Sequence, residues 1–426
     1  MSALANTLLL KAYGALWTIA RPVLRRHARL RNGLEQRMVP ADWAVKTDIW
    51  IQAASGGEAY LVWELLRHLP EDNDHALLLT SCTAQGVEVL EKAHRWCREM
   101  RPRLSLQIRY FPFDQPALMQ KALRMTSPRV VALMETELWP GLLAACKNNR
   151  VPVAVLNARM NTRSLAGYLA THSLWRSLRP DTVLAISEAD ARRFAALFGE
   201  QGVHVMHNMK FDRVTPPADE TQGEEANPLL DTVIKAGTPL ATFGSVREEE
   251  EQDVLHIIRR LREARPKTSI ALIPRHIERV IPWEATLRNA GMEAVRRSTL
   301  DAPAAPGSLI LWDEFGELNH VYALSRAVFV GGSLAPLGGQ NFLEPLAHGI
   351  QPVIGPSYRN FAWAQDLITE RMVHVMPDAD AVFDQLLRNL KRPAPRDKVR
   401  EQFTLWLHDR QGGSQSAVQA LLSLLQ

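Results

Sequence analysis

Apolar and polar positions alternate along the chain in two consecutive series. From Asp48 the short apolar runs "DIWIQAAS", "ALLLTSC", "LQIRYFPF", "RVVALME", "VPVAVLNAR" and "TVLAISE" read as strands. Between them, stretches such as "GGEAYLVWELLRHL" and "TAQGVEVLEKAHRWCREM" place apolar residues at helical spacing. Strands and helices alternating in this way predict repeated βαβ units around a parallel sheet. A second series, "PLATFGS", "TSIALIPR", "SLILWDE", "AVFVGGS", "QPVIGP" and "VHVMPD", repeats the pattern with helical stretches of its own. The segment that separates the two, "VTPPADETQGEEANP" (Val214 to Pro228), is Pro-rich, acidic and almost free of apolar residues, as a linker or surface loop would be.

The two series predict an α/β protein of two Rossmann-like, doubly wound domains facing a cleft. The expected boundaries are 41–213 for the first domain, 214–228 for the linker and 229–400 for the second. A last helix, from roughly Asp397 to Gln426, is long enough to return to the first domain, and 401–426 is assigned to it. At 426 residues the chain exceeds the size at which one core stops growing, which agrees with the division. Ligands of such sheets bind outside the carboxyl ends of the strands, so the residues that follow each apolar run are the candidates for chemistry.

Residues 1–40 follow another pattern. Leu4 to Ala20 are mostly apolar and include Tyr13 and Trp17; a basic flank follows, with Arg21, Arg25, Arg26, Arg29, Arg31 and Arg37. The apolar part falls slightly short of the roughly 20 residues that span a bilayer, and Lys11 lies in its middle. Its charges come after the apolar part, the reverse of a signal peptide. An apolar helix with a basic flank suits a membrane anchor with its arginines on the cytoplasmic side. The plainer alternative is an amphipathic helix packed on its own domain. A net charge of +4 on this length permits acidic ligands, anionic lipid or nucleic acid and selects none of them. Cys82, Cys97 and Cys146 are odd in number and lack metal-ligand spacing, which fits a reducing compartment.

The chemistry concentrates in a few segments. "GGSLAPLGGQNFLEPLAHGIQPVIGP", Gly331 to Pro356, leads into a helix that Asn341 can cap and Gly349 can end. Glycines before a helix let backbone N–H groups approach an anion, and the helix dipole favours negative charge there. The segment is neither G-x-G-x-x-G nor a P-loop, so a phosphate cradle and a structural turn both stay open. Glu344 is half of a capping box in one reading and an acceptor for ribose hydroxyls in the other. In "IQAASGGEAYL", Ser55, Gly56, Gly57 and Glu58 follow a strand, and Glu58 is either a general base or a partner of the helix dipole. "MHNMKFDRV" and "IPRHIERV" put Lys210, Arg275 and His276 after apolar runs, where they pair with phosphate or carboxylate or are simply solvated. "METELWP" adds Glu135 and Glu137, which an extended chain would place on one side. Nothing supplies a third carboxylate or histidine beside them, so no catalytic metal is expected.

Taken in order, "SGGE", "ETELWP", "NARMNTRS", "NMKFD", "PRHIER", "DEFGEL", "FVGGSL" and "GGQNFLEP" resemble the 3-deoxy-D-manno-octulosonic acid (Kdo) transferases. These are inverting glycosyltransferases of GT-B fold, and the likeness runs over nearly the whole chain. The resemblance implies transfer of Kdo from CMP-Kdo to a lipid A precursor (lipid IVA) in lipopolysaccharide core biosynthesis. It implies a cell inner membrane location on the cytoplasmic side, with no cofactor and no nucleic acid. CMP would lie on the second domain near Ser245, with its phosphate at the N–H groups of Gly338, Gly339, Gln340 and Asn341. Glu344 would hold the ribose, and Lys210, Arg275 and His276 would face the phosphate or the Kdo carboxylate. Glu58 would take the proton from the acceptor hydroxyl as it attacks from the face opposite CMP. Ser55, Gly57, Glu135, Glu137 and Arg159 match on the acceptor side without individual roles.

The chain departs from the family pattern in places. Arg247, Gln340 and Gln52 stand where histidine is usual, and His207 stands where glycine is common. Glutamine still donates a hydrogen bond but carries no charge. Two alternatives keep the fold: a GT-B transferase with a different nucleotide sugar or acceptor, and a UDP-sugar 2-epimerase-like enzyme. The latter needs neither an anchor nor an acceptor base. A nucleic-acid-binding protein would interleave basic and aromatic residues along a groove, whereas the basic cluster here follows an apolar helix.

Overall fold

A computed structural model describes residues 3–24, 32–214 and 227–425. The chain forms two compact units, Met1–Arg213 with Arg410–Gln426, and Val214–Asp409. In unit 1 seven strands build one parallel sheet: β1 (Ile49–Ala53), β2 (Ala76–Ser81), β3 (Ser105–Tyr110), β4 (Val130–Met134), β5 (Val153–Ala158), β6 (Thr182–Ala185) and β7 (Val203–Val205). Their order is β3-β2-β1-β4-β5-β6-β7. The order reverses between β1 and β4, so the carboxyl ends of these two strands open the crevice of the sheet. Every residue of β1 and β4 is buried, because helices cover both faces. Trp50, Leu78, Val131 and Leu133 feed one core layer, and Ile49, Ile51, Leu77 and Leu79 feed the other. Hydroxyl caps start the helices close behind the strands: Ser55 accepts from the Glu58 amide and Thr83 from the Gly86 amide.

Unit 2 repeats the plan. Its strands are β8 (Leu240–Val246), β9 (Ser269–Pro274), β10 (Val295–Arg296), β11 (Leu309–Leu311), β12 (Ala327–Val330), β13 (Val353–Ile354) and β14 (His374–Val375). They pair in parallel in the order β10-β11-β9-β8-β12-β13-β14. The reversal here lies between β8 and β12. The edge strands β7 and β10, of two or three residues with none buried, lie outside the runs that the sequence pattern marks.

The C-terminal segment is two helices instead of one. Arg396–His408 stays with unit 2 and Gly413–Ser423 joins unit 1. The break falls at Gly412, whose φ of 94° suits only glycine well. Asp212 fixes it by accepting from the amides of Gly412 and Ser414 at 2.7 and 2.6 Å. Of the linker expected over 214–228, residues 215–226 lie outside the described residues; Asn227 is buried and donates to the His320 carbonyl.

The N-terminal helix, Ala3–Leu24, is not long and apolar enough to cross a membrane. It rests on unit 1 through Leu9, Leu10, Trp17 against Phe113, and the Tyr13 hydroxyl, which donates to Asp114 at 3.0 Å. Arg25, Arg26, Arg29 and Arg31 of the expected basic belt lie outside the described residues. Arg37 does not belong to that belt. It is 3% exposed, donates through its two terminal nitrogens to the carbonyls of Phe111 and Cys82, and lies over the Tyr110 ring, so it is a core guanidinium.

One buried carboxylate organises the carboxyl end of the second sheet. Glu250 is 1% exposed and accepts from the amides of Arg247, Gly332, Ser333 and Leu334. Burial raises its pKa against the pull of these four donors. The turn it grips is too tight for a side chain at Gly331, where a Cβ would lie 2.5 Å from Glu250 Oε1. Glu250→Ala would leave the turn amides buried without an acceptor, a loss of roughly 3 kcal/mol or more. Urea unfolding of the variant is expected to show this as a lowered midpoint, with a smaller loss for Glu250→Gln. An unchanged midpoint would mean that the turn holds without the carboxylate.

Candidate active site

In unit 1 the predicted residues gather at the carboxyl ends of β1, β4 and β5. Glu58 stands in the first turn of the helix Gly56–His68. Its carboxylate turns back on the start of that helix, accepting from the Ala54 amide at 2.7 Å and the Ser55 hydroxyl at 3.1 Å, while the Glu58 amide donates to Ser55 Oγ. Ser55 supplies its half of a capping box, while the carboxylate reaches the Ala54 amide and not that of the N-cap residue. Its electrostatics differ from those of an exposed cap: burial pushes the pKa up to about 7, the Ala54 amide pulls against this, and the charge on Glu135 adds to the rise. Glu58 remains partly exposed and can reach a ligand. A carboxyl group poised near neutrality is suited to accept a proton from a hydroxyl.

Two further carboxylates follow β4. The chain is not extended there, so alternation along a strand does not place them: Glu135 has a φ of 54°, in the left-handed region. Glu135 Oε1 accepts from Lys210 Nζ at 2.8 Å and Oε2 from Arg159 Nε at 2.7 Å. Glu137 accepts from Trp139 Nε1 at 2.7 Å; burial first, then the Glu58 charge, pushes its pKa up to about 7. Asn157, at the end of β5, is also left-handed, with a φ of 53°. Non-glycine residues held in that region cost about 1–3 kcal/mol and cluster at functional sites. Asn157 and Asn208 are buried; their side-chain carbonyls accept from the amides of Met209 and Lys210 and so fix the turn that carries Lys210. Lys210 therefore belongs to unit 1 and is bound to Glu135. Gln52 is fully buried, accepting from Thr80 Oγ1 at 2.6 Å and donating to Cys82 Sγ at 3.3 Å, so its place in the sheet suits a neutral amide. Ser55 holds Glu58, and Gly57 is exposed beside it.

In unit 2, Ser245 is the penultimate residue of β8 and has a φ of 56°, at a register shift against β9. Arg275 follows β9 with its amide on the Val246 carbonyl; its side chain and that of His276 meet no partner among the described residues. The glycine-rich segment divides into two parts with different tasks. Gly331 and Gly332 form the turn on Glu250. Gly338 and Gly339, at φ of 92° and 83°, form the second turn. Two of the four amides expected to face a phosphate are used within the protein: Gly338 N–H donates to Ser357 Oγ at 2.8 Å and Gly339 N–H to the Gly332 carbonyl at 2.7 Å. Among the described residues the Gln340 and Asn341 amides donate to nothing, so the available cradle is these two. The following helix is short, Leu343–Ala347; Asn341 Oδ1 accepts from the Leu343 amide and Asn341 Nδ2 donates to Glu344.

Sequence reasoning missed Glu250, Ser333 and Ser357, which shape the glycine turns. Glu250 lies in the run "REEEE", where only burial separates it from the exposed Glu248 and Glu249. Among the described residues no group of three His, Cys, Asp or Glu side chains is arranged to hold a metal ion.

Residues 25–213 match the family model for 3-Deoxy-D-manno-octulosonic-acid transferase (kdotransferase). The 3-deoxy-D-manno-octulosonic acid transferase of Bordetella pertussis is 32% identical over 93% of this chain and 94% of its own. That of Haemophilus influenzae is 28% identical over 88% of this chain and 86% of its own. Among solved structures, Anabaena HepE in complex with UDP superposes with a TM-score of 0.57 at 13% identity, covering 88% of this chain and all of that one. UDP-GlcNAc 2-epimerase from Neisseria meningitidis gives 0.55 at 13% identity over 89% of this chain and 99% of its own. These two likenesses speak to the fold alone, two parallel-sheet units of the GT-B class. The sequence relatives separate transferase from epimerase: the chain belongs to the 3-deoxy-D-manno-octulosonic acid transferase family and is a glycosyltransferase.

Proposed function

We propose that the protein transfers Kdo from CMP-Kdo to a lipid A precursor in lipopolysaccharide biosynthesis, with Glu58 as the general base. The observation that carries this reading is a partly exposed carboxyl group with its pKa pushed up to about 7 at the strand-order reversal of the unit 1 sheet. In the reaction the acceptor oxygen attacks the anomeric carbon of Kdo and its proton passes to the Glu58 carboxylate. The bond from that carbon to the CMP phosphate oxygen breaks, and CMP leaves with the electron pair and one added negative charge. Attack opposite the leaving group inverts the configuration. Fixed N–H dipoles and cations stabilise such a leaving group without reorganising; the Gln340 and Asn341 amides and Arg275 are the groups assigned to it, with Glu344 on the ribose. Gln52 and Gln340, at positions where the family usually has histidine, favour one competing reading, a changed sugar or acceptor on the same machinery.

The proposal includes membrane attachment on the cytoplasmic side, and the exposed face of the N-terminal helix supports attachment. With Tyr13 and Trp17 against unit 1, its other side exposes Leu4, Leu8, Leu16 and Ile19. Large apolar side chains moved from water into lipid contribute about 1.5–3 kcal/mol each, which suits a helix lying in the bilayer surface.

Three outcomes are expected. Glu58→Gln should lower kcat by about 10²–10⁴-fold, the usual worth of a general base, while CMP binding by calorimetry stays within twofold. Because the base must be ionised, the wild-type rate should fall about tenfold per pH unit below about 7 and level off above it. A parallel loss of CMP binding, or a flat profile from pH 5 to 8, would remove Glu58 from the chemistry. For the helix, Leu8→Ser, Leu16→Ser and Ile19→Ser together should move the protein from the membrane to the soluble fraction. Unaltered sedimentation with membranes would place the contact elsewhere.

A further inference from the structure

We propose that Arg159, held by Glu135 beside Lys210, is a binding residue for an oxyanion carried by one of the two substrates. The proposal rests on the transferase reading for what those substrates are. The oxyanion is either the carboxylate of the transferred acid or a phosphate on the acceptor, and both present the same chemistry to a guanidinium.

The geometry of the three side chains carries the argument. Glu135 is nearly buried and both of its oxygens are taken, Oε1 by Lys210 and Oε2 by Arg159. Glu135 thus takes one hydrogen bond from each of two cations. The bond from Arg159 uses Nε, and its terminal Nη1 and Nη2 donate to no group among the described residues. These two nitrogens form the flat fork that takes a carboxylate or phosphate with two parallel hydrogen bonds. Their position is fixed from both ends. Glu135 grips the side chain, and Thr136 Oγ1 donates to the Arg159 carbonyl. Lys210 is placed by the asparagine-held turn and uses one of its three donors on Glu135.

Arg159 and Lys210 also keep side-chain exposures of 43% and 31%, against 8% for Glu135. Here a second cation is added and its fork is left open towards solvent. The cluster lies beside the proposed base, since the charges of Glu135 and Arg159 both act on Glu58. An oxyanion bound there is therefore near the reacting hydroxyl. The strained backbone at Glu135 and Asn157 fits a site held in one geometry for a ligand.

The test uses the full-length protein, its Arg159→Lys and Arg159→Gln variants, and two probes titrated by calorimetry: free Kdo, which carries only the carboxylate, and glucosamine 1-phosphate, which carries only the phosphate. Steady-state KM for CMP-Kdo and for the lipid acceptor, with and without its phosphates, is measured alongside. Arg159→Gln should weaken one probe, or raise the matching KM, by about tenfold or more. Arg159→Lys should recover little of this, because it restores the charge without the fork. Weaker Kdo binding or a raised KM for CMP-Kdo identifies the carboxylate. If the phosphate is the ligand, the wild type loses the same factor on the dephosphorylated acceptor and the variants lose nothing further. Probe binding that is absent from the wild type or unaltered in both variants, with no change in KM wherever turnover is measurable, overturns the proposal. Arg159-dependent binding in a protein that transfers no Kdo would retain the site and reject the transferase reading.

Discussion

A carboxylate buried at the end of a parallel strand must find hydrogen bonds or counter-charges within the protein, and the way each is compensated decides what it can do. Three such groups shape the two units. Glu250 is sealed from solvent and surrounded by four backbone amides, so it acts on the fold by holding the glycine turn after β12. Glu135 is bound by two cations through both oxygens. Glu58 is held by one amide and one hydroxyl, and solvent can reach it. Burial without full compensation moves a carboxyl pKa towards neutrality. Its stabilising share is present in acid and is lost as pH rises through about 7. The ionised form that suits catalysis is therefore the form the fold favours less.

The architecture was legible because periodicity encodes it. Strands covered on both faces are apolar throughout, and the helices between them carry a single apolar stripe, so the twelve runs in "DIWIQAAS" to "VHVMPD" announce two doubly wound sheets. Of the short edge strands, β14 lies in one of these runs, whereas β7 and β10 lie in none. The break between the last two helices was hidden for a different reason: it depends on Asp212, two hundred residues from the Gly412 amide it accepts.

The candidate site was legible in its residues more than in their partners. Motif matching drew attention to Glu58, Glu135, Arg159, Lys210 and the second glycine pair. What each one does was decided by contacts that no spacing records. Lys210 was grouped with the donor, but its ammonium is bound to Glu135. Four cradle amides became two once Ser357 and the Gly332 carbonyl were seen to take the others. Arg37 read as part of a basic belt, yet a buried arginine bonded to carbonyls has the same one-letter code as an exposed one.

The central claim is that the protein moves Kdo onto a lipid. The most direct measurement is the mass of the product formed from tetra-acylated lipid A precursor, with CMP-Kdo generated beforehand and excess EDTA then added. The account predicts acceptor mass raised by one or more Kdo units, released together with CMP. Unmodified acceptor from protein that still binds CMP would contradict it, and would point to another sugar or acceptor at the positions held by Gln52 and Gln340.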